Sequence, residues 1–162
     1  MKRIGLLFDT LRAPYDVAHI MQIAAALGNC DLYVSGNSID TKHRKITSKV
    51  KSWKIKSLPE VTRFNSLEEA AEVLHAQDKY LVGTSPHATR DLYEVDITQR
   101  DPVLVFGTES TGLTSKKIEL LDTMIKIPMD ENCSFLTLPV AVSVAAYEFY
   151  RQIRRKNEKS RR

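Results

Sequence analysis

Residues 103–113 read VLVFGTESTGL, and residues 124–147 read MIKIPMDENCSFLTLPVAVSVAAY. Val103 to Phe106 is a short apolar run of the kind buried on both faces of a parallel sheet, and it breaks at once into a turn of glycines, hydroxyls and one carboxylate. A second apolar run, Met124 to Ile127, stops at Pro128. A polar loop follows, and from about Leu138 to Arg155 the pattern is helical: Pro139 suits a first turn, and Ala141, Val144, Ala145, Tyr147 and Phe149 spread apolar surface around much of the cylinder. This succession describes ligand loops on an α/β scaffold, since strands are rigid and the loops at their ends are free to vary.

The rest of the chain obeys the same grammar. Ile4 to Phe8 and Leu32 to Val34 read as strands on either side of a helix over Ala18 to Leu27, with Gly28 placed for a left-handed cap. Ser35 to Ser57 is irregular and lysine-rich, with a short basic helix from Thr47 to Trp53 anchored by Val50 and Trp53. Val61 to Phe64 is a brief strand, Asn65 or Ser66 caps a helix reaching Gln77, and Tyr80 to Val82 is a strand that ends in Gly83-Thr84-Ser85. Asp91 to Asp101 reads as a polar connector. Strands alternating with helices predict an α/β fold, a parallel sheet flanked by helices.

With 162 residues, 43% of them hydrophobic, one core is expected, a single domain over 1–156 followed by a disordered basic tail over 157–162. No apolar run approaches the roughly 20 residues that span a bilayer, and MKRIGLLFDTLR lacks the pattern of a signal peptide, so a cytoplasmic protein without membrane contact is expected. Cys30 and Cys133 and the four scattered histidines suggest reduced thiols and no metal. The net charge of +4 is concentrated around Lys42, Arg44, Lys45, Lys49 and Lys51 and again around Arg154 and Arg155, the footprint of a polyphosphate partner or, more simply, of a solvated face and tail.

Several chemistries are excluded by spacing. GTESTGLTSKK has Leu113 where a P-loop needs lysine, no G-x-G-x-x-G occurs, and no serine stands in a G-x-S-x-G elbow. What remains is a set of three strand ends, at Val82-Gly83-Thr84, Phe106-Gly107-Thr108-Glu109 and Ile127-Pro128-Met129, expected to converge on one pocket beyond the carboxyl edge of the sheet. Gly83, Gly107 and Gly112 would let backbone approach a ligand or take up positive φ.

VLVFGTESTGL followed by IKIPM and a Leu/Ser/Ala/Val-rich helix resembles the second and third motifs of the SPOUT superfamily of RNA methyltransferases, in its SpoU/TrmH branch. The turn at residues 83–85 resembles the first cofactor loop of that branch and PYDVAHIMQIAAALG its first motif, so the resemblance covers nearly the whole chain. It implies a deep C-terminal trefoil knot, S-adenosylmethionine bound largely by backbone groups, and a homodimer with its active site at the interface. By position, Val82, Gly83, Thr84, Gly107, Ile127, Met129, Phe135, Leu136 and Leu138 would surround the cofactor, with Glu109 at the mouth of the pocket. The implied substrate is structured RNA, tRNA before rRNA, and the implied reaction is ribose 2′-O-methylation; the lack of a recognisable RNA-binding extension makes the resemblance one to minimal members of the branch.

The acceptor side departs from the branch. Gln22 stands at the position of the arginine taken to activate the 2′-hydroxyl, Asp16 or His19 near that of its asparagine, Thr137 at an asparagine of the third motif, and Phe135 at a small polar residue. An amide stabilises developing negative charge less well than a guanidinium. Arg12 is a candidate replacement cation and His19 a candidate proton acceptor, with His87 and Glu109 as further candidates. Methylation of a base nitrogen and a non-catalytic RNA-binding role are the rival expectations.

Overall fold

The computed structural model describes every residue except Met1, Glu109 and Arg162. Six parallel strands, β1 (Ile4–Asp9), β2 (Cys30–Ser35), β3 (Val61–Arg63), β4 (Tyr80–Thr84), β5 (Pro102–Phe106) and β6 (Thr123–Ile125), form one sheet in the order β3-β2-β1-β5-β4-β6. The helices are α1 (Pro14–Leu27), α2 (Arg44–Ser52), α3 (Leu67–Ala76), α4 (Ser115–Ile118) and α5 (Leu138–Lys159).

The unbroken apolar runs of β1 and β5 are explained by burial on both faces. Leu6, Phe8, Leu104 and Phe106 enter the core shared with α1, α2 and α5, where the Phe8 and Phe106 rings stack at 5.3 Å. Leu7, Val103 and Val105 enter a second core against Leu67, Ala70, Ala71 and Leu74 of α3. α5 follows β6 at one edge of the sheet yet packs on α1 and β1 at its middle, so the chain between them passes the ends of β4 and β5.

Three segments differ from the sequence reading. α1 starts at Pro14, which occupies the first helical turn where a missing N–H costs nothing. α2 starts at Arg44 because the His43 side chain accepts a hydrogen bond from the Lys45 N–H, a cap made by an unusual residue. Residues 91–101 are no mere polar connector: Asp91 and Glu94 form a capping box around a 3-10 turn, Leu92–Glu94, and Leu92, Val95 and Ile97 are buried. Gln152 of α5 seals this segment, donating to the Val95 carbonyl at 2.8 Å and accepting from the Ile97 N–H at 3.1 Å.

The segment 157–162, expected to be a disordered tail, is helical as far as Lys159. The Lys156 ammonium donates to the Thr98 carbonyl at 2.9 Å, which ties this end of α5 to the body, and Arg154 reaches Glu158 one turn later within the helix. Upstream, Glu148 is buried and held below the usual carboxylate range, first by its hydrogen bond from Arg151.

One buried ion pair ties the sheet to the turn after β5. Asp9 closes β1 with 3% of its surface exposed, accepts from the Ser35 hydroxyl at 3.0 Å, and pairs with the Lys117 ammonium of α4. Ser38 continues the network by donating to the Ser35 carbonyl and accepting from the Leu11 N–H. Removing one member of such a pair strands the other charge away from water. Lys117→Met should therefore lower stability by about 3 kcal/mol in urea unfolding, and adding Asp9→Asn should recover part of the loss; additive losses would show that the pair is not coupled.

Candidate functional site

The carboxyl ends of β4, β5 and β6 lie side by side. Gly83 is in register with Val105 and with Met124, the Thr84 hydroxyl donates to the Val105 carbonyl at 3.2 Å, and the Ser85 N–H donates to the Ile125 carbonyl at 3.0 Å. Ile127 and Leu138 pack against the core that holds Val82 and Phe106. The structure thus sets Val82, Gly83, Thr84 and Gly107 on the neighbouring ends of β4 and β5, while Ile127 and Leu138 pack against the large core beneath. Leu136 is half-buried, while Met129 and Phe135 sit on the rim, Phe135 with 67% of its surface exposed. Among the described residues, the N–H groups of Ile127, Met129 and Leu136 donate to no other backbone group. Such a set, apolar side chains around unengaged amides, suits the edge of a heteroaromatic base and an aliphatic tail.

Of the three glycines expected to allow close backbone approach or positive φ, Gly112 takes up positive φ, whereas Gly83 and Gly107 are hemmed in by the chain itself. A Cβ on Gly83 would lie 2.3 Å from the Met124 sulfur, and one on Gly107 would lie 2.3 Å from the carbonyl carbon of Gly112. The turn after β5 folds back on itself: Gly112 donates to the Thr108 carbonyl at 2.8 Å, the Thr111 N–H donates to the Thr108 hydroxyl at 3.1 Å, and Gly112 has φ +62°. Gly107 is needed for the turn to close. Gly107→Ala meets backbone, which cannot step aside, and should cost at least about 3 kcal/mol in thermal or urea unfolding; Gly112→Ala meets open space and should cost only about 1–2 kcal/mol for its backbone conformation.

Of the candidates for the acceptor side, Arg12 is exposed and its guanidinium donates to the Asn37 carbonyl at 3.3 Å, on the loop after β2. His19 sits on α1 with Nδ1 at 2.7 Å from the Tyr15 carbonyl, and its ring meets Trp53 edge-on at 5.1 Å. A carbonyl only accepts, so the proton of neutral His19 is on Nδ1 and the Nε2 lone pair is free. Gln22 is exposed one turn further along α1, and Thr137, at the start of α5, makes no capping bond. His87 is exposed on the turn after β4. Glu109 lies outside the described residues.

The two basic clusters are at opposite ends of the sheet. The loop leading into α2 is held at the carboxyl ends of the strands, where Arg63 of β3 donates to the Ser38 and Ile39 carbonyls. Ile46 and Val50 anchor α2, leaving Arg44, Lys45 and Lys51 exposed and Lys49 over the Trp53 ring at 5.3 Å; Lys42 lies exposed just ahead of the helix. Arg155 lies instead near residues 93–99, beside the amino end of β1, and Arg154 lines the surface beside residues 157–161 of the same helix. Arg154 is already engaged by Glu158 and by the Tyr150 ring. Sequence reasoning missed Asp9, Ser35 and Lys117; a carboxylate closing an otherwise apolar strand was the available signal.

Among the described residues there is no group of histidine, cysteine and carboxylate side chains able to hold a metal, and no helix long and apolar enough to cross a membrane. The thiols of Cys30 and Cys133 are free, that of Cys30 pushed up to about 12 by burial.

The SpoU rRNA Methylase family model matches residues 3–147. A 23S rRNA (uridine(2479)-2′-O)-methyltransferase of Streptomyces viridochromogenes is 32% identical over 154 residues, 92% of this chain and 53% of that protein. The SpoU methyltransferase AviRb of the same organism, solved with AdoMet, superposes with a TM-score of 0.79 at 30% identity over 93% of this chain and 58% of that one. A structure described as giving insights into the 2-OH methylation of C/U34 on tRNA superposes with a TM-score of 0.81 at 27% identity, covering 94% of this chain and 97% of that one. The chain spans about half the length of the curated relatives it matches. With the family model accounting for all six strands and the start of α5, the chain belongs to the SpoU rRNA Methylase family.

Proposed function

We propose that this chain is a cytoplasmic, S-adenosylmethionine-dependent RNA methyltransferase, a single domain over 1–156 that modifies a ribose 2′-hydroxyl of tRNA and works as a homodimer. The observation that carries the reading is the adjacency of the ends of β4, β5 and β6, followed in the chain by amides at Ile127, Met129 and Leu136 that among the described residues donate to no backbone group. These amides would hold the adenine edge, with Gly107 and the Thr84 backbone beside them and Ile127, Leu138 and the rim residue Phe135 against the apolar parts. The passage of residues 126–137 beneath α5 toward the middle of the sheet is where the trefoil knot of the SPOUT fold would be threaded. The choice of tRNA rests on the near-complete mutual coverage with the structure concerned with C/U34 of tRNA.

When bound, the cofactor supplies an electrophilic methyl group. The chain must do the rest: orient the ribose, take up the proton of its hydroxyl and stabilise the oxygen as charge develops. The Nε2 of His19 is assigned as the proton acceptor and Arg12, exposed and donating to the Asn37 carbonyl and side-chain oxygen, as the cation; Glu109 is assigned to the mouth of the pocket on the family resemblance alone. Incubation with labelled S-adenosylmethionine and unmodified tRNA or rRNA should label tRNA, and the product should resist alkaline cleavage at one position. Label on a base, with ordinary alkaline cleavage, would overturn the ribose assignment; no transfer and no cofactor binding by calorimetry would overturn the enzyme.

The dimer is supported by the face of α5 that remains uncovered, where Val140 and Tyr147 are 47% and 46% exposed two turns apart, whereas Val144 between them is half-buried in the chain's own core. Light scattering should give a dimer for the chain and a monomer for Tyr147→Glu, and an unchanged mass for that variant would contradict this interface.

A further inference from the structure

α1 begins immediately after the loop that leaves β1, and its second residue, Tyr15, has 62% of its surface exposed. Its backbone is fixed by Pro14 at the helix start and by the His19 imidazole bound to its carbonyl. Beside it runs a groove of about 520 Å³ lined by Tyr15, Arg44, Lys45, Ser48, Lys49 and Ser52. Burial of Ile46 and Val50 sets the rotation of α2, so 44, 45, 48, 49 and 52 share its outer face by helical spacing. The groove therefore offers one aromatic face, three cations and two hydroxyls, and no carboxylate lines it. Among the described residues none of the three cations is in an ion pair, and Lys49 is steadied over Trp53.

We propose that this groove binds an unpaired stretch of the RNA substrate, one base stacked on Tyr15 and the flanking phosphates on Arg44, Lys45 and Lys49. The proposal rests on the methyltransferase reading and deepens it by naming the form of RNA. Cations alone would serve a duplex as well as a single strand, because both present phosphates. An exposed ring is different: it can stack only on a base whose face is free, and in an A-form duplex the faces are covered by neighbouring bases. The volume has room for a nucleotide. Because α1 and the loop before α2 both start at the carboxyl edge of the sheet, the groove opens on the same end as the strand loops of the candidate methyl-donor site.

The test is fluorescence anisotropy of the full chain with a labelled hairpin RNA carrying an unpaired loop and with a blunt duplex of the same stem, read without cofactor. Wild type should prefer the hairpin; Tyr15→Ala should weaken the hairpin about 10-fold and leave the duplex within about 2-fold, while Tyr15→Phe should retain hairpin binding. Lys45→Ala should weaken both RNAs and flatten the salt dependence. Equal wild-type binding to both RNAs, or equal losses for Tyr15→Ala and Tyr15→Phe, would overturn the proposal, with circular dichroism of each variant establishing that it is folded. Methyl transfer measured in parallel separates the two readings. Loop binding through Tyr15 without transfer removes the enzyme and keeps the groove, and transfer with KM unchanged in Tyr15→Ala keeps the enzyme and removes the groove.

Discussion

A carboxylate buried at the end of the central strand organises the working end of this molecule. Asp9 is almost sealed from water, and among the described residues its side-chain partners are the Lys117 ammonium and the Ser35 hydroxyl, which offset the cost of burying it there. Meeting that requirement fixes three separate pieces of chain relative to one another: β1, the end of β2, and α4. The turn that leaves β5 is thereby held at both ends, by its strand and by α4, and Gly107 allows its two limbs to touch. Ser38 extends the same network to the loop before α2. The loops at the ends of β4 and β5 and the groove beside α2 thus share one polar foundation at the carboxyl edge of the sheet.

The parts of this arrangement that were readable from sequence are those carried by local pattern. The runs at Ile4 to Phe8 and Val103 to Phe106 announce strands covered on both faces, and the helical stripe through Ile20, Ala24 and Leu27 places α1. Glycines after strands mark the loops. Their reason was not readable, because the atom that excludes a Cβ from Gly107 belongs to Gly112 and is placed by the fold of the turn. The start of α2 was hidden because histidine seldom caps, and residues 91–97 were hidden because Leu92, Val95 and Ile97 follow neither a helical nor a strand period. The Asp9–Lys117 pair joins residues 108 apart, and no periodicity spans such a distance.

Charge offers a similar contrast between composition and geometry. A sequence with two basic runs suggests one continuous path for RNA, yet the fold sends them to opposite ends of the sheet and commits Arg154 and Lys156 to internal partners. The lysines and arginine of α2 keep their valence for something outside the chain. A count of positive residues therefore overstates the electrostatic footprint, and the location of the uncommitted ones gives it direction.

The strand order also sets a timetable. β1 precedes its neighbours in the chain and pairs first with β2, but its other edge must wait for β5, whose first residue is Pro102. At about 5–20 residues per second, the interval between the end of β3 and the arrival of β5 is roughly 2–8 s. Throughout it, a strand destined for complete burial presents an open edge and a run of Ile, Leu and Phe to its surroundings. Until β5 has been made that edge of β1 has no partner, which leaves it exposed to misassembly for the whole interval.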